Sequence, residues 1–283
     1  MFPEVFRIGG FFLPTYGLLV AIAFLTALWV TGRLAAKVGL HQETVLNLGI
    51  YCALAGIVGA KLLMIVLDPA IRGNWREILS LSTLQAAGIF YGGFVAALVT
   101  AFVYMWRNGL PGLKTADSFA PGLALGHAIG RLGCFSAGCC WGVPTRLPWA
   151  VTFTNPRANE LVGVPLGVSL HPTQLYESLG ELIIFAVLYL RFLRPHRDGS
   201  VVSLYLVLYG ILRLLVEFVR FHDQQSNPLT GPFSTEQWIS VALVAVGLFY
   251  WLFVRSRQAV TAIPSPVAAN AGLTDRGSTS VTR

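Results

Sequence analysis

The segment GHAIGRLGCFSAGCCWG, Gly126 to Gly142, concentrates side chains that can do chemistry within an otherwise apolar part of the chain. His127 can exchange a proton near neutral pH, and Arg131 carries a permanent charge four residues further on. Three thiols follow, those of Cys134, Cys139 and Cys140. Where such a run lies in a membrane, an ionisable side chain marks a functional site by default.

Two further segments show the same pattern of polar residues three or four positions apart, which places them on one face of a helix. The members are Gln174, Glu177 and Glu181 in one segment, and Tyr209, Arg213, Glu217 and Arg220 in the other. Two guanidinium groups that face one cavity suit a phosphate, which each can grip with a pair of hydrogen bonds. An alternative is that Arg213 and Glu217 only form an ion pair within their helix.

The elements that position these residues follow from composition: 55% of residues are hydrophobic, 12% are charged and the mean hydropathy is +0.66. This composition predicts an all-α integral membrane protein. Apolar runs predict seven transmembrane helices, over 11–30, 45–67, 86–106, 116–136, 173–193, 201–221 and 235–254. We expect a transmembrane domain over residues 1–257 and a disordered cytoplasmic tail, rich in small and polar residues, over 258–283.

Lys and Arg are more numerous in the loops that follow the first, third, fifth and seventh predicted spans. Basic loops stay in the cytoplasm, so the N-terminus is predicted to lie outside the cytoplasm and the C-terminus to be cytoplasmic. The net charge of +7 is then a matter of topology, and no nucleic-acid partner is expected. Seven ionisable residues within the spans map to the outer half of the membrane and predict one outward polar chamber: Lys61, Arg131, Glu177, Glu181, Arg213, Glu217 and Arg220.

Several motifs, in order, give the chain a family resemblance. They are YGL at Tyr16–Leu18, YGG at Tyr91–Gly93, GRLGCFSAGCCWG at Gly130–Gly142, HPTQLYE at His171–Glu177 and YGILRLLVEFVR at Tyr209–Arg220. With them the chain resembles the prolipoprotein diacylglyceryl transferases, enzymes of lipoprotein biosynthesis in the bacterial inner membrane. The resemblance implies transfer of the diacylglyceryl group of phosphatidylglycerol to the lipobox cysteine of a preprolipoprotein signal peptide, with release of glycerol phosphate.

The resemblance also implies roles for individual residues, in an active site toward the periplasm. Arg131 and Arg213 would bind the phosphate of phosphatidylglycerol, and Glu217 would orient Arg213. Tyr16 and Gly142 are carried over as further residues of the phosphatidylglycerol site.

The chain departs from the family where proton transfer is expected. Tyr91 stands where many members have a histidine before Gly-Gly, and Cys134 stands where they have an asparagine. We therefore hypothesise that His127 replaces the missing histidine as general base, because an imidazole suits acceptance of a thiol proton. Tyr91 would then orient the substrate or leaving group. The alternative for His127 is a hydrogen bond between helices.

The reaction needs a thiolate and a stabilised leaving phosphate, which two arginines can provide, so no cofactor and no metal is predicted. The three thiols of the opening segment lack the paired spacing of common zinc sites and are interpreted first as small packing residues. A disulfide, a metal site or a covalent acceptor role remain open for them. The alternative function is a non-catalytic or transport membrane protein that binds an anionic lipid or solute.

Overall fold

The computed structural model describes residues 4–8, 11–69, 73–78, 88–221, 234–254 and 260–261. Its helices are α1 (Thr15–Lys37), α2 (Gln42–Leu67), α3 (Trp75–Ile78), α4 (Phe90–Arg107), α5 (Gly112–Ala137), α6 (Pro156–Val162), α7 (Thr173–Phe192), α8 (Ser200–Glu217) and α9 (Thr235–Phe249), which continues as a π-helical turn over Tyr250–Val254. The described residues also contain three antiparallel strand pairs: β1 (Glu4–Ile8) with β2 (Phe11–Pro14), β3 (Val151–Thr152) with β4 (Ser169–Leu170), and β5 (His196–Arg197) with β6 (Val260–Thr261).

A long helix coincides with each of the seven predicted spans. Within the described residues five of them are long and apolar enough to cross a membrane: α1, α2, α4, α8 and α9 with its π-helical extension. Helices α5 and α7 are also long, but they carry charged residues such as Asp117 and Glu177, which lower their mean hydropathy. The prediction of a helical membrane protein is confirmed, while the number of spans and their direction stay predictions.

Several predicted span boundaries differ from the observed helix ends, and at two of them the chain forms other structure instead of helix. The first span was expected to begin at Phe11, but Phe11–Pro14 pairs with β1 and the helix begins only at Thr15. The sixth was expected to reach Phe221, but α8 ends at Glu217, so Arg220 does not share its helical face. In the predicted tail, Val260–Thr261 pairs with β5, and the rest of 258–283 lies outside the described residues.

The stretch Ser136–Leu170, between the fourth and fifth predicted spans, contains regular structure and a small core of its own. We call it the outer subdomain, because the predicted topology assigns it to the outer side of the membrane. Asn155 caps α6 by accepting a hydrogen bond from the Arg157 amide, and Pro156 fits the first helical position. The fully buried residues Phe153, Ala158, Val164 and Leu170 pack together. Arg157 also pairs with Glu4, at 3.3 Å, which ties this outer subdomain to the N-terminal hairpin.

The described chain divides into two compact units, residues 39–115 and residues 1–38 with 116–283. In the smaller unit, α2 and α4 approach closely through glycines. A Cβ atom on Gly59 would lie 2.5 Å from the carbonyl oxygen of Gly92, and one on Gly93 would lie 2.7 Å from that of Gly56. Small residues of this kind are what allow membrane helices to pack backbone to backbone.

In the larger unit, a buried carboxylate joins the start of α8 to α5. Asp117, in the second turn of α5, accepts hydrogen bonds from the backbone amides of Gly199 at 2.7 Å, Val201 at 3.0 Å and Val202 at 2.8 Å. Amides of a first helical turn lack partners within their own helix, so Asp117 satisfies donors that burial would otherwise leave unpaired. The beginning of α8 is thereby fixed against a defined position of α5.

These hydrogen bonds of Asp117 cap α8, and they fix the position of Arg131 on α5 relative to that of Arg213 on α8. Arg131 is about 21 Å along α5 from Asp117, and Arg213 is about 18 Å along α8 from Val201, at about 1.5 Å per residue. Close packing of α7 on α8, where a Cβ on Gly180 would lie 2.5 Å from Leu212, brings α7 to the same place. The three helices therefore present their polar residues to one another at one depth.

Candidate active site

Glu177 of α7 is the centre of the site, with 2% of its surface exposed. It forms an ion pair with the Nε atom of Arg131 on α5. Its Oε1 atom lies 3.5 Å from Nη1 of Arg213 on α8 and 3.5 Å from Nη1 of Arg220. Three guanidinium groups from three segments thus converge on one buried carboxylate.

Arg213 has a second carboxylate in Glu217, one helical turn further along α8. Glu217 in turn accepts a hydrogen bond from the Ser234 hydroxyl at 3.1 Å, immediately before α9. Ser234 and Gln237 form a capping box at the start of α9, which fixes the serine in place. The intrahelical pair expected from the sequence is therefore present, but it belongs to a larger arginine–glutamate cluster made of Arg131, Glu177, Arg213, Glu217 and Arg220.

His127 extends this cluster toward the N-terminal part of α5. Its Nδ1 atom lies 3.0 Å from Oε1 of Glu181, a residue of α7 with no exposed surface, and its Nε2 atom lies 4.0 Å from Oε2 of Glu177. The side chain is 27% exposed, and its ring centroid lies 5.5 Å from that of Tyr209. A carboxylate on Nδ1 fixes the imidazole orientation and leaves Nε2 as the proton acceptor, an arrangement suited to a general base.

The charges of the site balance internally. Three arginines (131, 213 and 220) face three glutamates (177, 181 and 217), with His127 able to add a positive charge. An uncompensated charge costs up to about 3 kcal/mol near the centre of a membrane, so this pairing lowers the cost of burying the cluster in a membrane protein. The guanidinium groups retain N–H donors beyond those used on Glu177, which leaves them able to bind a phosphate.

The backbone after α8 explains where Arg220 comes from. Gly142 and Arg220 form an antiparallel bridge, supported by Val143 N to Val219 O at 2.9 Å and Phe221 N to Trp141 O at 3.1 Å. Gly142 has to be glycine here, because a Cβ atom would lie 2.5 Å from the Cβ of His171 and 2.6 Å from the Val219 carbonyl. The predicted residue Gly142 thus holds the segment that carries Arg220.

The three thiols of the opening segment lie together at the end of α5. The sulfur atoms of Cys134, Cys139 and Cys140 all lie within 4.8 Å of one another, and we call them the cysteine cluster. Nη1 of Arg131 lies 4.0 Å from the Cys134 sulfur. Hydrogen bonds with Cys134 and Cys139 lower the pKa of the Cys140 thiol, burial acts in the opposite direction, and the Arg220 and Arg131 charges add to the lowering.

The predicted site residues fall into two groups. The structure brings His127, Arg131, Arg213 and Glu217 together through Glu177 and Glu181, and Tyr16 lies against α5, where a Cβ on Gly133 would be 3.3 Å from its ring. Tyr91 belongs to α4 in the smaller unit, where it is half exposed and its ring centroid is 5.9 Å from that of Phe90. Its catalytic role stays a prediction.

Glu177, Glu181 and Arg220 were predicted to line the polar chamber, but they were given no catalytic or lipid-binding role. The sequence held a signal for the glutamates, since they occupy one face of α7 within a predicted span, and buried carboxylates in a membrane need cationic partners. For Arg220 the helical spacing was misleading, because a backbone bridge to a distant loop, and not α8, positions it.

The fold and the site define a helical membrane protein in which three arginines converge on a buried glutamate at one level of a helix bundle. The family model of the prolipoprotein diacylglyceryl transferases matches residues 3–253. The chain belongs to this family.

Individual relatives cover almost the full length. A protein of Clostridium tetani is 34% identical over 261 residues, which are 91% of this chain and 100% of that protein. Another from Thermotoga maritima is 33% identical, over 90% of this chain and 85% of its own. A protein of Bordetella bronchiseptica is 32% identical, over 89% of this chain and 94% of its own length. Each of the three is named phosphatidylglycerol–prolipoprotein diacylglyceryl transferase.

Proposed function

We propose that the protein transfers the diacylglyceryl group of phosphatidylglycerol to the thiol of a lipobox cysteine in a preprolipoprotein signal peptide and releases glycerol phosphate. The observation that carries this proposal is the convergence of Arg131, Arg213 and Arg220 on Glu177 inside a helical membrane protein. The names of relatives that match nearly the whole chain point to the same reaction.

The arginines supply the binding site for the phosphate of the donor lipid. Glu177 holds the three guanidinium groups with part of their hydrogen-bonding capacity, so the remaining N–H groups are oriented before the lipid arrives. As the phosphate leaves, negative charge grows on its bridging oxygen, and fixed cations at that point stabilise the transition state. Glu217 keeps Arg213 in the required orientation.

His127 accepts the proton of the incoming thiol at Nε2, while Glu181 holds Nδ1. The thiolate attacks the glycerol carbon that bears the phosphate, a carbon–sulfur bond forms and the carbon–oxygen bond breaks. The electron pair leaves with glycerol phosphate. Tyr91 orients the substrate or leaving group, and Tyr16 and Gly142 complete the lipid site.

The finer topology is part of the proposal. Helices α1, α2, α4, α5, α7, α8 and α9 all span the bacterial inner membrane, with the N-terminus periplasmic and the C-terminus cytoplasmic. The excess of Lys and Arg in the loops assigned to the cytoplasm supports this direction. The active site then faces the periplasmic side, where a secreted prolipoprotein presents its cysteine.

The outer subdomain offers a place for the signal peptide beside the site. A cavity of about 280 Å³ is lined by Trp141, Pro144, Leu170 and Phe221, together with two further residues of the same loop. The rings of Trp141 and Phe221 stack with their centroids 5.9 Å apart, and they flank the bridge that carries Arg220. Apolar side chains of the lipobox fit such a surface.

The proposal is tested by supplying phosphatidylglycerol and a lipobox peptide to the full-length protein in lipid. We expect diacylglyceryl-modified peptide and an equal amount of glycerol phosphate, and at least about a hundredfold loss of both in Arg131→Ala. Absence of both products from folded protein that binds phosphatidylglycerol would favour the alternative, a lipid-binding or transport protein. Near-normal turnover of Arg131→Ala would remove this residue from the phosphate site.

A second experiment tests the general base. His127→Gln retains a hydrogen-bonding group toward Glu181 but cannot take up the thiol proton, whereas Tyr91→Phe removes only the phenolic hydroxyl group. We expect turnover to fall about a hundredfold or more in His127→Gln and less in Tyr91→Phe. If His127→Gln keeps wild-type turnover, His127 serves only as a hydrogen bond between α5 and α7.

A further inference from the structure

The cysteine cluster is the part of the molecule that the proposed reaction does not use. Its three sulfur atoms come from the last turn of α5 and from the loop that follows, and they lie within 4.8 Å of one another. In the part of the chain that the structure describes, these cysteines form the one group of three or more His, Cys, Asp or Glu side chains whose ligand atoms lie close enough to share an ion. The spacing of the three cysteines along the chain predicted no metal site, because spacing alone does not show that the turn after α5 brings the thiols together.

The turn that brings the thiols together is held in place by side chains from the first turn of α7. The Gln174 amide donates a hydrogen bond to the Cys139 carbonyl at 2.6 Å, and the Thr173 hydroxyl donates one to the Cys140 carbonyl at 2.6 Å. Both side chains are 1% exposed. Cys140 has a φ of 63°, a left-handed conformation that is costly for a residue other than glycine and tends to occur at functional sites.

The surrounding charge suits an anionic ligand set. Arg131 lies 4.0 Å from the Cys134 sulfur, and Arg220 acts electrostatically on Cys140. Three thiolates with one monovalent or divalent cation leave a net negative charge, which these guanidinium groups offset. Thiolate ligands select soft cations such as Cu⁺ and the borderline Zn²⁺ over Mg²⁺ or Ca²⁺.

We propose that Cys134, Cys139 and Cys140 bind one thiophilic cation, Zn²⁺ or Cu⁺, as a three-thiolate site. Each thiol loses its proton to solvent and forms one metal–sulfur bond, with no change of oxidation state. Three sulfurs bound to one ion at about 2.3 Å in a trigonal arrangement lie about 4.0 Å apart, so the cluster has to contract by at most about 0.8 Å to close the site. The ion ties the end of α5 to the loop beside Arg131.

The number of thiols favours a metal over a disulfide. A disulfide would join two of the sulfurs and leave the third within 4.8 Å of the bridge, where it is placed for thiol–disulfide exchange. A single ion uses all three sulfurs equally. The inference does not depend on the transferase proposal, because metal binding is measured without any substrate.

The test uses full-length protein purified in detergent under a mild reductant that is then removed without air. Zn²⁺ and Cu⁺ are titrated separately, Cu⁺ by competition with a coloured chelator, and Co²⁺ serves as the optical probe for thiolate coordination. We expect one equivalent of Zn²⁺ or Cu⁺ per chain, thiolate-to-cobalt charge-transfer bands, and protection of three thiols from alkylation.

Variants locate the site. Cys134→Ser, Cys139→Ser and Cys140→Ser should each weaken binding at least about tenfold, whereas Cys52→Ser on α2 should bind as the wild type does. Size-exclusion and circular-dichroism profiles select the variants that remain folded. If a single serine variant does not fold, the wild-type titration and alkylation pattern decide alone.

Two results would overturn the inference. One is a native protein that has lost two hydrogens and whose paired thiols react only after reduction, which would identify a disulfide. The other is reduced, folded wild-type protein that takes up neither ion and shows no cobalt–thiolate bands.

Discussion

Two helix associations in this protein are built in opposite ways. In the smaller unit, α2 and α4 meet through Gly56, Gly59, Gly92 and Gly93, with backbone atoms nearly in contact. In the larger unit, α5, α7 and α8 meet through the arginine–glutamate cluster. Its central residue, Glu177, contacts three arginines that come from three different segments. Both associations lie on helices that the sequence predicts to span a membrane.

The difference shows how function is distributed in an apolar solvent. Glycine contacts hold helices together through dispersion and need no chemistry. A charged cluster is a poor choice for stability alone, since desolvation of the ions offsets much of their attraction. Its presence at the junction of α5, α7 and α8 therefore indicates a site that binds or transforms something, and the following substitutions test that distinction.

The largest effect is expected for Glu177→Gln. The amide keeps the shape of the side chain but removes the charge on which three guanidinium groups converge, and removal of one member of a buried ion pair costs about 3–5 kcal/mol. We expect transferase activity to fall at least about a hundredfold and the thermal midpoint in detergent to fall clearly. Full activity would show that the arginines do not need Glu177 for their orientation.

Gly142→Ala should follow in size. Its Cβ atom would lie 2.5 Å from the Cβ of His171 and 2.6 Å from the Val219 carbonyl, so the bridge that carries Arg220 has to open. We expect a loss of about 1–3 kcal/mol in the free energy of unfolding and reduced binding of phosphatidylglycerol vesicles. Unchanged stability and binding together would mean that the loop adjusts without moving Arg220.

Gly59→Ala tests the glycine contact by itself. The added methyl group would lie 2.5 Å from the Gly92 carbonyl oxygen, so α2 and α4 have to separate at a cost of about 1–3 kcal/mol, measured by the thermal midpoint. Gly130→Ala is the matched control, because a Cβ there meets nothing within 4 Å and alanine favours the helix by up to about 1 kcal/mol. Equal effects of the two substitutions would contradict close packing as the cause.

The smallest effect is expected for Glu160→Gln. The Arg157 Nη1 and Glu160 Oε2 atoms lie 2.7 Å apart, but Glu160 is 60% exposed, and solvent-screened ion pairs contribute little to stability. We expect thermal midpoint and turnover to stay near wild type, in contrast to Glu177→Gln. A large loss would show that the outer subdomain depends on its surface charges.

Much of the fold could be predicted from the sequence because membrane helices need long apolar runs. The start of α7 at Thr173 and its end at Phe192 fall within one residue of the predicted range. The spacing of Glu177, Glu181, Arg213 and Glu217 likewise predicted which residues face the site. These are local properties, fixed by helical periodicity.

The rest depends on contacts between distant segments. Arg220 reaches the cluster through a bridge to Gly142, and the cysteine cluster forms because Thr173 and Gln174 hold the turn after α5. The core of the outer subdomain joins Phe153 to Leu170 across a stretch rich in Pro and Gly. Neither periodicity nor spacing encodes such pairings, so they emerged only from the structure.

Because Asp117 caps α8, the number of residues between Asp117 and Arg131 on α5 determines where the Arg131 side chain lies relative to α8. Because the cap fixes one end of the interval, deletion of a single residue between Asp117 and Arg131 would turn the guanidinium by about 100° around the helix axis. Every residue type in the site would be retained, yet Arg131 would point away from Glu177. In this protein the length of that interval is constrained as strictly as the identity of any side chain in it.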